Sequence, residues 1–363
     1  MRVVVDVTPL SHPRTGIGNY LRGLLGGLAL LDDVELVAFG PVRPGGKHYA
    51  ELALAGLDIQ QRLRVVPAAH FWRTAWSRAG RLSVERFVGA FDVFHFSDWM
   101  YPPQRGGIRA TTIYDLVPLQ FPEWVAARTR SMHTAKYRNA ASTCDVIVCI
   151  SHHTAREVAE RLEVSPERLA VAHPGVDERF SPAGPRPERA QPYLLSVSTL
   201  EPRKNLRALV DAFSLLRRRR PDVSLLIAGA EEGVEAAALQ GDGVELLGYV
   251  GNEELAGLYR GAAAFAYPSR FEGFGMPIVE AMASGTPVVA GADASLDGAS
   301  GAAALRVDPD DADAFALTLE QALDERDALV PAGIEHARGF TWEACGRAVA
   351  DAYRRALRDG GQP

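Results

Sequence analysis

One pattern runs through this chain twice. Short runs rich in β-branched and aromatic residues alternate with amphipathic stretches, and a proline-rich break separates the two series. In the first series strands are expected at Val3–Val7, Val34–Phe39, Val93–Phe96, Thr111–Tyr114 and Val146–Ile150, with helices near Gly18–Leu31, Pro122–Ala141 and Thr154–Leu162. The second series predicts strands at Tyr193–Ser198, Ser224–Ala228, Val244–Leu247, Ala264–Tyr267 and Pro287–Ala290. Helices are expected there at Lys204–Arg219, Asn252–Gly261, Pro277–Ala283 and Asp311–Leu323, and a last one over Trp342–Leu357. Strands that are apolar throughout, rather than on alternate residues, belong to parallel sheets covered on both faces. The chain is therefore expected to be α/β, with two open parallel sheets wrapped by helices.

The stretch from Ser181 to Pro192 holds four prolines and no apolar period, so it reads as a linker. At 363 residues the chain exceeds one ordinary core. The expected division is residues 1–182 together with the terminal helix, 342–363, against residues 183–341.

Composition excludes several classes of protein. With 47% hydrophobic and 23% charged residues the chain is ordinary globular material. A net charge of −6 argues against a general nucleic-acid binder. No apolar run reaches the roughly 18 residues of a membrane span, so a cytoplasmic protein is expected, at most resting on the inner face of the membrane. The first 182 residues carry 21 basic against 18 acidic side chains, a weak bias that suits peripheral membrane contact or a phosphate-bearing acceptor. Cys144, Cys149 and Cys345 have no metal-ligand spacing and read as reduced core thiols.

Chemistry concentrates in Ser269 to Ala290, S-R-F-E-G-F-G-M-P-I-V-E-A-M-A-S-G-T-P-V-V-A. Glu272 and Glu280 stand eight positions apart across a turn-to-helix junction. Gly273 and Gly275 leave the backbone bare beside Phe274, so a ligand can approach the chain closely. Met276 and Pro277 open the helix, and proline at the first position sacrifices no hydrogen bond. Unpaired amides at such a start attract phosphate, and Glu280, one turn on, is placed to accept hydrogen bonds from ribose hydroxyls. An anion cradle between two hydroxyl acceptors suits a sugar nucleotide. The bland alternative is an α/β turn with two solvated glutamates.

The second motif is L-S-V-S-T-L-E-P-R-K-N-L, Leu195 to Leu206. A strand ends near Ser198 and delivers Arg203 and Lys204 ahead of a helix. Only three lysines occur among 39 basic residues, which draws attention to Lys204. A compact ammonium enters a tight diphosphate pocket where a planar guanidinium does not. Two cations there can neutralise a departing diphosphate.

These two segments resemble the E-x7-E donor motif and the phosphate-binding Arg-Lys pair of retaining GT-B glycosyltransferases, most closely family 4. The resemblance covers most of the chain and is weakest over residues 41–92 and 292–340. It implies two Rossmann-like domains facing a cleft, the terminal helix crossing back onto the amino-terminal domain. It implies transfer of a hexose from a nucleoside diphosphate sugar, with retention and without a metal, to a glycan or lipid-linked acceptor. Glu272 would sit by the transferred sugar, Glu280 by the ribose, and Arg203 and Lys204 by the diphosphate. The E-P-R-K-N form leans weakly toward GDP-mannose. The loop Arg14 to Tyr20, R-T-G-I-G-N-Y, matches the family's turn against the donor diphosphate and acceptor, through Gly16 and Gly18. As a dinucleotide fingerprint it lacks the third glycine and the acid after strand two, which disfavours a nicotinamide enzyme.

Other features weigh less. Asp115 ends a strand in T-I-Y-D and either positions an acceptor hydroxyl or caps the next turn; relatives often have His where this chain has Tyr114. Gly298 stands where relatives often carry Glu. Ser198 replaces a frequent glycine. His152 and His153 follow an N-cap, Ser151, and point apart on a helix. Asp308 to Asp311 read as a helix cap rather than a metal site. The segment Phe71 to Arg86 mixes Trp72 and Trp76 with arginines and reads either as a membrane-surface helix or as a helix packing its tryptophans on the core. A sugar-nucleotide epimerase of the same fold, or a non-catalytic sugar-nucleotide binder, remains the alternative.

Overall fold

The computed structural model describes residues 1–12, 16–80, 82–97, 100–229 and 238–360. The chain separates into two units, Met1–Gly175 with the segment from Thr341 onward, and Val176–Phe340.

The first unit is built on a seven-stranded sheet, ordered β3-β2-β1-β4-β5-β6-β7. Its strands are β1 (Arg2–Asp6), β2 (Glu35–Val42), β3 (Gln60–Val65), β4 (Val93–Phe96), β5 (Ile108–Ile113), β6 (Val146–Cys149) and β7 (Leu169–Val171). Every pairing is parallel; Val4, for instance, lies opposite Val37 on one side and Phe94 on the other. Val3, Val4 and Val5 are fully buried, which is why this strand shows no alternation.

The second unit has a six-stranded parallel sheet, ordered β10-β9-β8-β11-β12-β13. The strands are β8 (Tyr193–Val197), β9 (Ser224–Ala228), β10 (Val244–Gly248), β11 (Ala264–Tyr267), β12 (Val288–Gly291) and β13 (Leu305–Val307). One side of this sheet packs on the Leu206–Arg217 and Ala312–Asp324 helices through Leu209, Phe213, Phe315 and Leu319. The proline-rich stretch is held to this unit by Arg260, whose guanidinium donates to the carbonyls of Arg179 and Pro185 at 2.9 and 3.0 Å.

The terminal helix, Trp342–Asp359, packs along the Gly16–Ala29 helix within the first unit. Glycine permits that contact. A Cβ on Gly27 would lie 1.8 Å from the Trp342 carbonyl oxygen, and one on Gly346 would lie 2.3 Å from the Gly27 carbonyl carbon. Trp342 then stands edge-on to Tyr20, with ring centroids 5.9 Å apart.

Several elements differ from the sequence expectation. Strands β3, β7 and β13 lie at sheet edges and are either polar (Q-Q-R-L-R-V) or three residues long, too short to show a period. The helices Gly46–Leu54 and Arg326–Ala337 have no counterpart in that expectation, and the helix expected within Phe71 to Arg86 runs Ala69–Ala79. The expected helix at Pro122–Ala141 is a 3₁₀ turn, Pro122–Trp124, followed by a separate helix, Ala127–Thr143. At the end of the Leu206–Arg217 helix, Arg217, Arg219 and Arg220 pair with Asp242, Glu320 and Asp324.

Candidate functional site

Strand order places the site. In an open parallel sheet the chain winds outward from one strand to either side, and the loops leaving the two central strands diverge to form a crevice at their carboxyl ends. In the second unit those strands are β8 and β11. The loop leaving β8 carries Ser198, Arg203 and Lys204; the loop leaving β11 carries Ser269, Glu272 and the turn into the Met276–Ala283 helix. Residues nearly 70 positions apart in sequence therefore meet because of topology.

Lys204 ends a 3₁₀ turn, Pro202–Lys204, and Asn205 follows with φ +54°. That left-handed residue turns the chain sharply into the Leu206–Arg217 helix. Arg270 N donates to the Arg203 carbonyl at 2.8 Å, tying the two loops by backbone. Asn205 and Arg270 are further joined through Asp310, at 3.1 and 2.9 Å. The Asp308–Asp311 acids thus serve a loop clamp and a cap, since Asp311 accepts from Ala314 N at 2.9 Å. Among the described residues no group of three or more His, Cys, Asp or Glu side chains is arranged to hold a metal ion.

Glu272 is the centre of the site. It is buried, 6% exposed, and its Oε1 accepts from Lys204 Nζ at 2.5 Å, Ser269 Oγ at 2.6 Å and Tyr267 Oη at 2.8 Å. Its Oε2 accepts from Arg203 Nη1, whose Nε is held by Glu201 at 2.7 Å. Lys204 Nζ also donates to Tyr267 Oη at 3.1 Å. Burial pushes the Glu272 carboxyl up, but the Lys204 and Arg203 charges outweigh it and bring the pKa down to about 2. Burial lowers the pKa of Lys204 while Glu272 opposes that shift. The Tyr267 phenol is pushed well up by burial and by the Glu272 charge, so it stays a neutral donor.

Gly275 has φ +100° and caps the next helix. A Cβ there would also come within 2.9 Å of Leu296 Cδ2, but it is the positive φ that calls for glycine. Phe274 is buried edge-on to Phe340, centroids 5.4 Å apart, and anchors the bend from behind. Met276 and Pro277 open the helix, as the sequence suggested.

Glu280 stands one turn further on and is not part of the ion-paired cluster. Tyr259 Oη donates to its Oε2 at 3.2 Å; Oε1 has no donor among the described residues. Burial, together with the Asp177 charge, raises its pKa to about 7 against the lowering effect of Tyr259. The two glutamates of the motif are thus opposite in kind, one held ionised and one poised.

Of the remaining sequence candidates, Ser198 N bonds the Ala228 carbonyl at 2.9 Å, beside Gly229 with φ +88°. Gly16 begins its helix with open space where a Cβ would stand, and Gly18 is buried in the same helix; Arg14 and Thr15 of that loop lie outside the described residues. Asp115 accepts from Val117 N at 3.1 Å, the capping role, and Tyr114 packs edge-on to Tyr20. Ser151 caps its helix through Thr154 N at 3.0 Å. Sequence reasoning missed Tyr267, Ser269 and Tyr259. The signal available was positional: Tyr267 and Ser269 leave the end of an apolar strand just before Glu272.

The comparisons with known proteins agree with this geometry. The family profile "Glycosyl transferases group 1" matches residues 191–325, and "Glycosyltransferase Family 4" matches residues 14–180. Among curated proteins, O-antigen chain mannosyltransferase B of Escherichia coli is 28% identical over 98% of this chain and 100% of its own length. A D-inositol 3-phosphate glycosyltransferase of Nocardioides sp. is 30% identical over 74% of this chain and 68% of its own. Among solved structures, a glycosyltransferase from Rickettsia africae superposes with a TM-score of 0.71 at 16% identity, over 99% of both chains. Anabaena Alr3699/HepE in complex with UDP-glucose gives 0.72 at 14% identity, over 98% and 100%. These matches favour transfer over epimerisation or mere binding. The fold is GT-B, and the chain belongs to family 4 of the glycosyltransferases, the glycosyl transferases group 1.

Proposed function

We propose that this enzyme moves a hexose, with retention of anomeric configuration, from a nucleoside diphosphate sugar to a hydroxyl of a glycan or lipid-linked acceptor. The observation that carries the reading is the convergence of Glu272, Lys204 and Arg203 at the central crevice of the second sheet. Glu272 would accept hydrogen bonds from the transferred sugar. Arg203, Lys204 and the amides after Gly275 would meet the charge that develops on the departing diphosphate, with no metal required. As the bond from the anomeric carbon to the diphosphate breaks, the acceptor oxygen bonds to that carbon and the diphosphate takes the acceptor proton. Glu280, with one free carboxylate oxygen, would hold the ribose. The mannosyltransferase name of the Escherichia coli relative supports the weak lean to GDP-mannose and a role in polysaccharide assembly.

No helix among the described residues is long and apolar enough to cross a membrane. Phe71 and Trp72 are exposed on a helix that carries arginines and no acid, which supports peripheral contact of a cytoplasmic enzyme with the inner membrane face. Asp115, already a cap, would touch the acceptor only secondarily.

Calorimetry with UDP-, GDP- and ADP-sugars, followed by proton NMR of the product's anomeric centre, tests the proposal. One nucleotide sugar should bind, and Lys204→Ala should lower turnover roughly 10²–10³-fold. Failure of every nucleotide sugar to bind, or an inverted product, would sink it.

A further inference from the structure

The first unit has its own central crevice, between the carboxyl ends of β1 and β4, and beside it lies a buried cation with no ion pair among the described residues. Arg73 is 5% exposed. Its Nε donates to the Ala69 carbonyl at 3.3 Å, within its own helix, while its buried Nη1 has no partner among the described residues. No ion pair there involves it. Asp6, whose charge acts on Arg73, spends its carboxylate elsewhere, accepting from Thr8 N at 2.9 Å, Thr8 Oγ1 at 3.1 Å, Ser97 N at 3.3 Å and Ser97 Oγ. A buried guanidinium with neither counter-ion nor full hydrogen bonding is costly, and folds keep such groups where an anion arrives.

Arg43 shares the sign of Arg73, and two imidazoles stand nearby as neutral hydrogen-bonding groups. His12 follows the turn after β1, Arg43 follows β2, and His70 stands three residues before Arg73. Burial and the Arg43 and Arg73 charges lower the pKa of His12; burial and the Arg73 and Arg128 charges lower that of His70. On its other flank Arg73 lines an apolar cavity of about 300 Å³, walled by Phe39, Trp72, Trp76, Leu82 and Phe87. That volume sits at the low end for a small-molecule pocket. Cation and hydrocarbon surface thus adjoin at one side chain.

We propose that the first unit binds an amphiphilic phosphate ester, its phosphate on Arg73 between His12, Arg43 and His70 and its first carbons in the cavity bounded by Trp72, Trp76 and Leu82. This rests on the reading of the enzyme as acting on a lipid-linked acceptor and names the part of that acceptor the chain recognises. The charges of Arg73 and Arg43 favour an anion over a neutral glycan, and a bare phosphate would leave the apolar wall unused.

Titration calorimetry on the full chain tests this with butyl, hexyl and octyl phosphate below micelle formation, against inorganic phosphate and octanol. Affinity should rise roughly fourfold per methylene seated until the cavity is filled. Octyl phosphate should bind more tightly than either control. Arg73→Met should weaken it at least tenfold and leave octanol unchanged; the exposed Arg43→Ala, which threatens folding less, should weaken it several-fold. Equal affinity for inorganic and octyl phosphate would reduce the site to a free-phosphate site and overturn the proposal, as would equal binding of octanol or indifference of both variants. Nucleoside diphosphate binding, measured in parallel, reports on the second unit, so its loss alone would overturn the transferase reading and leave this site standing.

Discussion

Each unit places a buried carboxylate at the centre of its sheet, and the two are treated in opposite ways. Asp6, the last residue of β1, is surrounded by hydroxyls and amides from Thr8 and Ser97. Burial raises its pKa, and those hydrogen bonds and the Arg73 charge only partly oppose the rise. Glu272, after β11, is surrounded by cations and held ionised. The same open-sheet topology thus yields one polar group that tolerates neutrality and one that requires charge. Where cations and acid are matched inside the protein, as in the second unit, the site stands ready for a ligand that brings both hydroxyls and charge. Where a cation is left over, as at Arg73, the missing partner is an anion from outside.

The sharpest break of this contrast is removal of Glu272. Glu272→Ala would leave Lys204 and Arg203 buried without their acid, which costs about 3–5 kcal/mol. Urea denaturation should show that loss, and Glu272→Leu combined with Lys204→Met should recover much of it. The pH dependence follows with a definite sign. A carboxyl lowered from 4.5 to about 2 contributes stability that is fully present above pH 4.5 and is lost as pH falls toward 2. The contribution is on the order of 3 kcal/mol, reduced by the opposing shift of Lys204. A flat acid limb in the wild type would contradict the ionised assignment.

Arg73→Met should do the reverse. Replacing a lone buried charge by an apolar side chain of similar length is expected to leave stability unchanged or raise it by about 1–2 kcal/mol. A loss of 3 kcal/mol in the same denaturation experiment would mean that Arg73 has a structural partner and that the two units do not differ as described.

Glu280 sharpens the comparison inside the second unit. Its pKa near 7 means that the free protein carries it partly protonated at neutral pH. Two ribose hydroxyls need the carboxylate form, so nucleoside diphosphate affinity should fall about tenfold per unit as pH drops below 7. In Glu280→Gln that slope should vanish, leaving weaker binding at pH 8. Stability moves the other way: a carboxyl raised above its ordinary value favours the fold at low pH, and that contribution is lost as pH rises through about 7.

Much of this was legible in the sequence. Unbroken apolar strands such as V-V-V and L-L-I-A identified parallel sheets, and the E-x7-E segment and the R-K pair pointed to the two loops that meet at the central crevice of the second sheet. The sequence did not reveal that Glu272 and Lys204 are bound to each other, because topology, not spacing, closes a gap of nearly 70 residues. Nor did it distinguish the two glutamates, whose environments come from Tyr259 and Asp177 on one side and from Ser269 and Tyr267 on the other. Arg73 was hidden among many arginines, since burial without an acid is a property of packing and leaves no motif. The segment that holds it read either as a membrane-surface helix or as one packing its tryptophans on the core, and its two tryptophans differ. Trp76 packs on Phe39 and Phe87, with centroids 6.2 and 5.2 Å away, while Trp72 is 56% exposed.

The smallest expected effect is also the most discriminating. Asp6→Asn and Glu272→Gln make the same change, carboxylate to amide, each near the carboxyl end of a central strand of its sheet. At Asp6 the amide keeps an acceptor oxygen for Thr8 N, and its new donors face hydroxyls that rotate to accept them; Ser97 N alone loses its long 3.3 Å acceptor, so about 1 kcal/mol should be lost at pH 7. The pH dependence that Asp6 contributes, stability present at low pH and lost as pH rises through its elevated pKa, should disappear with it. At Glu272 the amide sets its donors against Lys204 or Arg203, which have only donors to offer, and Lys204 loses its acid while Arg203 keeps Glu201. If denaturation curves of the two variants shift by similar amounts, then the carboxylates are equivalent scaffold groups. Glu272 would then owe its setting to the fold and not to a ligand's charge.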